Sequence, residues 1–207
     1  MIYQIAEKFK SIQGEGMYAG TPMAFIRFVG CSVGKKTCHA CDTDFEKMHS
    51  FRGGGEFTPE QLMEWVGDYE HVCLTGGEPL DQDLEPLIVL SREDVVLHIE
   101  TSGTKSLANL PEGACWVCVS PKPGYLNESV EAADEVKVIV PGLGSGPDWP
   151  TLQDALRWAQ MGKRVYLQPR NGRFDVDPVM LKVVQDAVIN HPTLKLSVQL
   201  HKLLKVQ

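Results

Sequence analysis

Short apolar runs recur along the chain, and each ends in a polar or glycine-rich cluster. Runs of this length, bounded by turn-forming residues, are typical of buried strands. The clusters differ from one another, so the recurrence is not a sequence repeat. The runs that predict strands span residues 2–9, 24–29, 71–74, 95–99, 116–119, 136–140, 165–167 and 194–198.

Helical patterns lie between several of these runs. Thr58 and Gln61 flank a proline and predict a capping box at a helix start. A second helix is predicted by an apolar face that ends before Gly162. A third is predicted to begin at Asp177, and a short fourth is predicted over residues 84–90.

Strands that alternate with helices predict a parallel sheet with crossover connections. A complete eight-unit barrel typically needs about 250 residues, whereas this chain has 207. We therefore expect an α/β fold: one domain over residues 1–207 that forms an incomplete, open parallel β/α barrel with reduced helices. Ligands of such folds bind at the carboxyl ends of the strands, so the polar clusters predict one shared site.

Composition narrows the function classes. The net charge of -7 argues against non-specific binding to nucleic acid or to an anionic membrane. No apolar run approaches the roughly 20 residues of a membrane span, and the charged N-terminal segment is not a secretory signal. We expect a cytoplasmic protein, in which six cysteines favour a metal site over disulfides.

Three of these cysteines are spaced Cys31-x6-Cys38-x2-Cys41 in a stretch whose glycines and lysines predict a loop without a helix. Thiolates select zinc or an iron–sulfur cluster. A closed zinc site needs a fourth ligand, and His39 would have to fold back onto the same ion. The spacing therefore favours a four-iron, four-sulfur cluster with one open iron over zinc, and both over three free thiols, which would oxidise.

Two strand ends carry further candidates. Gly76-Gly77 would let the backbone approach a ligand and leave amide N–H groups free; the alternative is an ordinary tight turn. Glu78 and Glu100 suit ribose hydroxyls or an amine, and the alternative for each is a solvated loop acid.

Arg27 interrupts an apolar strand, where an unpaired charge would be costly. It either pairs with Glu15 or Asp42 or, as we favour, clamps a ligand carboxylate. Asp42, Thr43 and Asp44 carry hard oxygen atoms suited to Mg²⁺, although a turn or helix cap explains them equally well.

The remaining cysteines and histidines fit structural roles. Cys115 and Cys118 lie three apart on a strand and so point to opposite faces. Cys73 is expected to be a small core residue, and His98 a satisfied core histidine. His201 lies in a polar cluster that could reach the site.

Taken together, these motifs resemble the radical S-adenosylmethionine superfamily and, within it, the 7-carboxy-7-deazaguanine synthase family. The resemblance runs from the first strand to the last residues, although the superfamily's usual first cysteine spacing is x3. It is carried by Gln13-Gly14-Glu15-Gly16, the cysteine loop through Cys41-Asp42-Thr43, Thr75-Gly76-Gly77-Glu78-Pro79, Glu100-Thr101-Ser102-Gly103, Ser120-Pro121-Lys122, Gln168-Pro169 and Gln199-x-His201-Lys202.

The resemblance implies a lyase of the queuosine and deazapurine routes. S-adenosylmethionine would chelate the open iron of a 4Fe-4S cluster, and a reductant such as flavodoxin or ferredoxin would trigger its cleavage to a 5′-deoxyadenosyl radical. The substrate would be 6-carboxy-5,6,7,8-tetrahydropterin, which would lose ammonia to give 7-carboxy-7-deazaguanine. Mg²⁺ would assist, and the chain would form a homodimer.

The resemblance also implies residue roles. The cluster ligands would be Cys31, Cys38 and Cys41, and Thr43 would meet Mg²⁺. The S-adenosylmethionine site would comprise Ala40, Cys41, Asp42, Gly77, Glu100, Ser120, Pro121, Lys122, Gln168, Pro169, Arg170 and Asn171. The pterin site would comprise Ile12, Gln13, Gly14, Arg27, Thr75, His201 and Gln207.

Two other functions share part of the pattern. An activase that places a glycyl radical on a protein partner would have the same cysteine loop and Gly-Gly turn, but would not need Arg27 or the His201-Lys202 cluster for a small acidic pterin. A zinc-stabilised binding module without enzyme activity would need only the thiols.

Overall fold

Nine strands are present in the computed structural model, which describes residues 1–142, 148–172 and 175–206. The strands are Tyr3–Ile12 (β1), Pro22–Phe28 (β2), Gly55–Phe57 (β3), His71–Gly76 (β4), Val96–Thr101 (β5), Cys115–Val119 (β6), Glu135–Val140 (β7), Arg164–Pro169 (β8) and Lys195–Leu196 (β9). Each run predicted to be a strand overlaps one of these, and β3 is an addition.

Seven α-helices and two short 3₁₀ turns connect the strands in the described residues. The helices are Gly34–Thr37 (α1), Pro59–Val66 (α2), Glu85–Leu90 (α3), Asn127–Ala132 (α4), Leu152–Gln160 (α5), Pro178–Asn190 (α6) and Leu200–Leu204 (α7), and the 3₁₀ turns are Ser50–Arg52 and Pro79–Asp81. None of these helices is long and apolar enough to cross a membrane.

The predicted helix starts are confirmed by their caps. Thr58 accepts a hydrogen bond from the backbone of Gln61, whose side chain accepts one from the backbone of Thr58 at 2.8 Å. Asp177 caps α6 by accepting from two backbone N–H groups, so the first exposed amides of this helix are satisfied.

All nine strands form one open sheet in the order β3-β1-β2-β4-β5-β6-β7-β8-β9. From β2 to β9 every neighbouring pair is parallel. β1 instead pairs antiparallel with both β2 and β3, so the sheet is parallel except at one edge. The predicted open, incomplete α/β barrel with reduced helices is confirmed.

The two faces of this sheet differ in chemistry because successive side chains of a strand point to opposite sides. One face is apolar and packs against the helices; its members include Leu74, Leu97, Ile99, Val136, Val138, Val165 and Leu167. The other face carries charged and polar residues that line a cavity; its members include Arg27, Thr75, Glu100, Lys137 and Gln168. The apolar face stabilises the fold, and the polar face is free to bind a ligand.

The cysteine stretch is not entirely a loop, and the prediction that it contains no helix was wrong. Gly34–Thr37 forms a single helical turn, closed by a hydrogen bond from the N–H of Cys38 to the carbonyl of Gly34 at 3.1 Å. One such bond suffices for a turn of this length, and Lys35 and Lys36 are good helix formers.

Neighbouring residues of β5 give a test of this division of faces. Leu97 is completely buried, whereas Val96 is 37% exposed. Leu97→Ala should lower the free energy of unfolding by about 2–5 kcal/mol, because it leaves a cavity in the core. Val96→Ala is the matched control and should cost less than about 1 kcal/mol. Urea unfolding of both variants checks this, and equal losses would contradict the assignment of faces.

Candidate active site

The polar clusters that follow the strands meet at one edge of the sheet and surround a cavity of about 810 Å³. The carboxyl ends of parallel strands lie at the same edge, so clusters far apart in sequence come together there. The expectation of one shared site is met in this geometry.

Nearly all the residues predicted for the site lie on the wall of this cavity. Pro121 is buried beside the wall without reaching it, and Gln207 lies outside the described residues. Those on the wall are Ile12, Gln13, Gly14, Arg27, Cys31, Cys38, Ala40, Cys41, Asp42, Thr43, Thr75, Gly77, Glu100, Ser120, Lys122, Gln168, Pro169, Arg170, Asn171 and His201.

The thiols of Cys31, Cys38 and Cys41 share this wall. Burial raises the pKa of Cys38 to about 11, an effect that the charge of Lys122 opposes and the nearby Cys41 and Cys31 reinforce. Burial also raises the pKa of Cys31. Cys31 and Cys38 are therefore protonated at neutral pH until a metal displaces the protons.

The turn after β4 holds the start of the cysteine loop. The N–H of Gly77 donates to the carbonyl of Phe28 at 3.2 Å, and that of Glu78 donates to the carbonyl of Gly30 at 3.1 Å. A Cβ atom at Gly77 would lie 1.4 Å from the Gly30 oxygen, so only glycine fits. The expectation that the amide of Gly77 is free for a ligand was wrong, because its N–H binds the end of β2, while the N–H of Glu78 binds the start of the cysteine loop.

Glu78 is a structural residue, and neither reading of it from the sequence was right. Its side chain is 1% exposed and absent from the cavity wall. It accepts hydrogen bonds from the hydroxyl of Thr101 at 2.7 Å, the N–H of Ser102 at 2.9 Å and the N–H of Leu80 at 3.1 Å. The carboxylate thus ties the end of β5 to the turn after β4.

Arg27 pairs with neither Glu15 nor Asp42, the partners considered from the sequence. Its guanidinium lies 2.7 Å from the carboxylate of Glu7 on the adjacent strand, and Arg52 approaches the same carboxylate at 3.5 Å. Glu7 is buried, and both arginines line the cavity. Two guanidiniums against one carboxylate leave one surplus positive charge at this end of the cavity.

An aromatic surface lies beside this charge. The rings of Phe9 and Phe25 are stacked with centroids 5.0 Å apart and nearly parallel planes, and the guanidinium of Arg27 lies 5.1 Å from the Phe9 centroid. Both rings line the cavity. The combination is suited to a planar ring that bears a negative group.

The two aspartates that follow Cys41 are paired with basic side chains. Asp42 accepts a hydrogen bond from the buried ammonium of Lys202 at 2.7 Å, and Asp44 lies 3.1 Å from the ring of His49. Thr43 lies between them on the cavity wall. Lys202 also donates to the carbonyl of Gly172 at 2.8 Å, so this one ammonium links the C-terminal segment both to the cysteine loop and to the segment after β8.

Lys137 on β7 joins two carboxylates at the base of the cavity. Its ammonium lies 2.5 Å from Glu15 and 2.9 Å from Glu100. Burial alone would raise the pKa of Glu15, but the charge of Lys137 and hydrogen bonds from Lys137 and Gln199 outweigh burial and bring it to about 2. Glu15 is therefore ionised at neutral pH.

The C-terminal segment closes the other side of the cavity. The N–H of Leu200 donates to the carbonyl of Gly14 at 2.9 Å, and a Cβ atom at Gly14 would lie 2.1 Å from the His201 ring. Gln199 donates to Glu15 at 2.7 Å and accepts from Asn171 at 3.0 Å. His201 thus reaches the site, as expected.

The other cysteines and His98 lie where the sequence placed them. Cys115 packs against the apolar core, whereas Cys118 lies on the polar face and contacts a small second cavity. Cys73 is 1% exposed and packs with Met23 and Phe25. His98 is buried, with a ring nitrogen 2.9 Å from that of His71.

Comparison with known proteins decides the family. The 7-carboxy-7-deazaguanine synthase of Bacteroides thetaiotaomicron is 35% identical, and that of Bradyrhizobium diazoefficiens 33% identical, each over the whole of both chains. The chain belongs to the 7-carboxy-7-deazaguanine synthase family. A crystal structure of QueE from Escherichia coli matches with a TM-score of 0.74 at 29% identity, covering 97% of this chain and 95% of that one. The chain matches no family model.

Membership of the 7-carboxy-7-deazaguanine synthase family implies a 4Fe-4S cluster and S-adenosylmethionine as cofactors. Three thiols on the wall of an open cavity fit a cluster that keeps one iron open. Within the described ranges, no three His, Cys, Asp or Glu side chains lie close enough together to hold a single metal ion. A cluster binds each thiolate through a different iron and so requires a wider arrangement.

Several residues on the cavity wall were not predicted from the sequence, namely Glu7, Phe9, Phe25, Arg52 and Lys137. Lys137 carries a detectable signal, because it is a charged residue between Val136 and Val138 on a strand, whereas Glu7 is followed by Lys8 and does not stand out in this way. Arg52 has no such signal, since it lies in a short 3₁₀ turn whose position depends on the whole sheet.

Glu78→Ala should destabilise the protein by about 2–4 kcal/mol, because it leaves the buried N–H of Ser102 and the Thr101 hydroxyl without an acceptor. Chemical denaturation measures the loss. Glu93→Ala, at an exposed acid, is the control and should stay within about 0.5 kcal/mol of the wild type. A Glu78→Ala variant as stable as this control would contradict the structural role.

Proposed function

We propose that the chain is a radical S-adenosylmethionine lyase that converts 6-carboxy-5,6,7,8-tetrahydropterin to 7-carboxy-7-deazaguanine with loss of ammonia. Family membership supports this reaction. The structural observation that supports the proposal is a single cavity. The three thiols of the cysteine loop lie on its wall, together with the surplus positive charge at Arg27 and Arg52. The first feature suits the cofactors, and the second suits an acidic substrate.

On this proposal, Cys31, Cys38 and Cys41 hold the cluster. Bound together, the cluster and S-adenosylmethionine supply the hydrogen-abstraction chemistry. The polypeptide contributes position: the Gly77 turn is fixed against the start of the cysteine loop, and Lys122 is buried close to Cys38. The remaining S-adenosylmethionine contacts are proposed at Ala40, Asp42, Glu100, Ser120, Pro121, Gln168, Pro169, Arg170 and Asn171.

The substrate carboxylate is proposed to bind at Arg27, where Glu7 orients the guanidinium. Phe9 and Phe25 would contact the pterin ring, since they form an apolar surface beside that charge. The rest of the pterin site is proposed at Ile12, Gln13, Gly14, Thr75, His201 and Gln207.

Further parts of the proposal come from the family resemblance. Mg²⁺ would bind at Thr43, which lines the cavity between Asp42 and Asp44 in sequence. A flavodoxin or ferredoxin would supply the electron. The working form would be a cytoplasmic homodimer whose product feeds queuosine or a related deazapurine.

Mass spectrometry of an anaerobic reaction tests the function. Iron-reconstituted protein is mixed with S-adenosylmethionine, a reductant, magnesium and the carboxytetrahydropterin. We expect 5′-deoxyadenosine and a product that has lost ammonia, and neither with Cys38→Ala. Formation of 5′-deoxyadenosine without a pterin product would refute the substrate and favour an activase. Zinc near one per chain with no iron or sulfide would refute the cluster.

Arg27→Ala should weaken binding of the pterin at least about tenfold, since it removes a charged partner of the substrate carboxylate. Cofactor cleavage without substrate should change little. Calorimetric titration and 5′-deoxyadenosine formation measure the two effects separately. Arg157→Ala, on the exposed face of α5, is the matched control. Equal losses of binding and cleavage would contradict the clamp.

A further inference from the structure

In the described part of the cavity wall, Lys137 is the least exposed lysine or arginine, at 4%. Its two partners come from distant parts of the chain: Glu15 follows β1, and Glu100 lies on β5. Both carboxylates also line the cavity, with side chains 16% and 20% exposed. The ammonium therefore lies beneath two acceptors that a ligand can reach.

Each carboxylate belongs to a different side of the site. Glu100 accepts a hydrogen bond from the side chain of Gln13 at 3.4 Å and lies at a strand end proposed to face S-adenosylmethionine. Glu15 follows Gln13 and Gly14, which are proposed to face the pterin, and accepts from Gln199. Lys137 thus connects the cofactor side to the substrate side through one charged group.

Other charges do not replace this ammonium. The titratable groups around Lys137 and its partners include Arg27 on β2, Cys73 on β4, His98 on β5, Cys118 on β6, Glu135 on β7, Tyr166 on β8, Tyr18, Lys122 and His201. Among the titratable side chains of the described residues, Lys137 is the one that forms ion pairs with both Glu15 and Glu100. Without it, Glu15 and Glu100 would face each other in a poorly solvated wall, where neighbouring carboxylates tend to share a proton.

Lys137 itself does not act as a base. Burial alone would lower its pKa, but Cys118, Glu100 and Glu15 together raise the pKa well above the usual lysine value. The group therefore stays protonated across the physiological range and serves as a fixed positive charge.

We propose that Lys137 is a positioning residue that keeps Glu15 and Glu100 ionised and aimed into the cavity as acceptors for the N–H groups of the bound pterin and the hydroxyl groups of the cofactor. This inference rests on the proposed function. It adds a role for a residue on β7, four strands along the sheet from β2 and the cysteine loop that follows it, and assigns the recognition of hydrogen-bond donors to a carboxylate pair.

The test compares Lys137→Met with Lys137→Arg. The association constant of 6-carboxy-5,6,7,8-tetrahydropterin is measured anaerobically by calorimetry between about pH 8 and about pH 5.5, and each value is divided by that of the wild type. The ratio removes titration of the substrate and of His201. Loss of the cation raises the pKa of the carboxylates, so the ionised acceptors disappear as the pH falls through the raised value.

For Lys137→Met we expect an association constant about tenfold below that of the wild type at about pH 8. The ratio of the two constants should fall further as the pH is lowered to about 5.5. For Lys137→Arg, which retains the charge, we expect a ratio that does not change with pH. If Lys137→Met does not fold, Lys137→Gln replaces it, and we expect the same fall of the ratio. Glutamine keeps a polar contact but lacks the positive charge.

A lower melting temperature with an unchanged, pH-independent ratio in the methionine and glutamine variants would overturn the proposal and leave Lys137 a purely structural residue. An acid-dependent loss in Lys137→Arg would also overturn it. If the wild-type protein does not bind the pterin at all, the proposed function has failed instead, so the two failures are distinguishable.

Discussion

Charges on the polar face of the sheet need partners within the cavity wall, because an isolated charge there would lose its hydration without compensation. Glu7 forms an ion pair with Arg27, Lys137 with Glu15 and Glu100, and Lys202 with Asp42. Almost every such pair joins segments that are far apart in sequence. The ion pairs that satisfy the buried charges therefore also fix the relative positions of the strand ends, the cysteine loop and the C-terminal segment.

The fold could be predicted largely because its strands are short apolar runs with clear ends. The same reasoning failed where local sequence is a weak guide. β3 has three residues and forms because β1 offers an open edge, while α4 and α7 are single short helices held by tertiary contacts. Strand ends were placed too early at β1, β4, β5 and β8, since the residues there still pair with a neighbouring strand.

The location of the site followed from the sequence, but its internal pairing did not. The rule that ligands bind at the carboxyl ends of parallel strands gathers the motifs without any knowledge of distances. Partners such as Glu7 for Arg27 depend on the register of β1 with β2, where Glu7 lies opposite Arg27. Glu78 shows the same limit, since nothing in its neighbourhood reveals that Thr101 and Ser102 will enclose it.

The contact between Glu15 and Gln199 joins residues 184 positions apart. Contacts of such long sequence separation require a long loop to close, and folds rich in them fold more slowly than folds with local contacts. The cysteine loop depends mainly on β2 and the turn after β4, which are close in sequence. The thiol side of the cavity is therefore anchored mainly by contacts closer in sequence, whereas the opposite side exists only when the two ends of the chain meet.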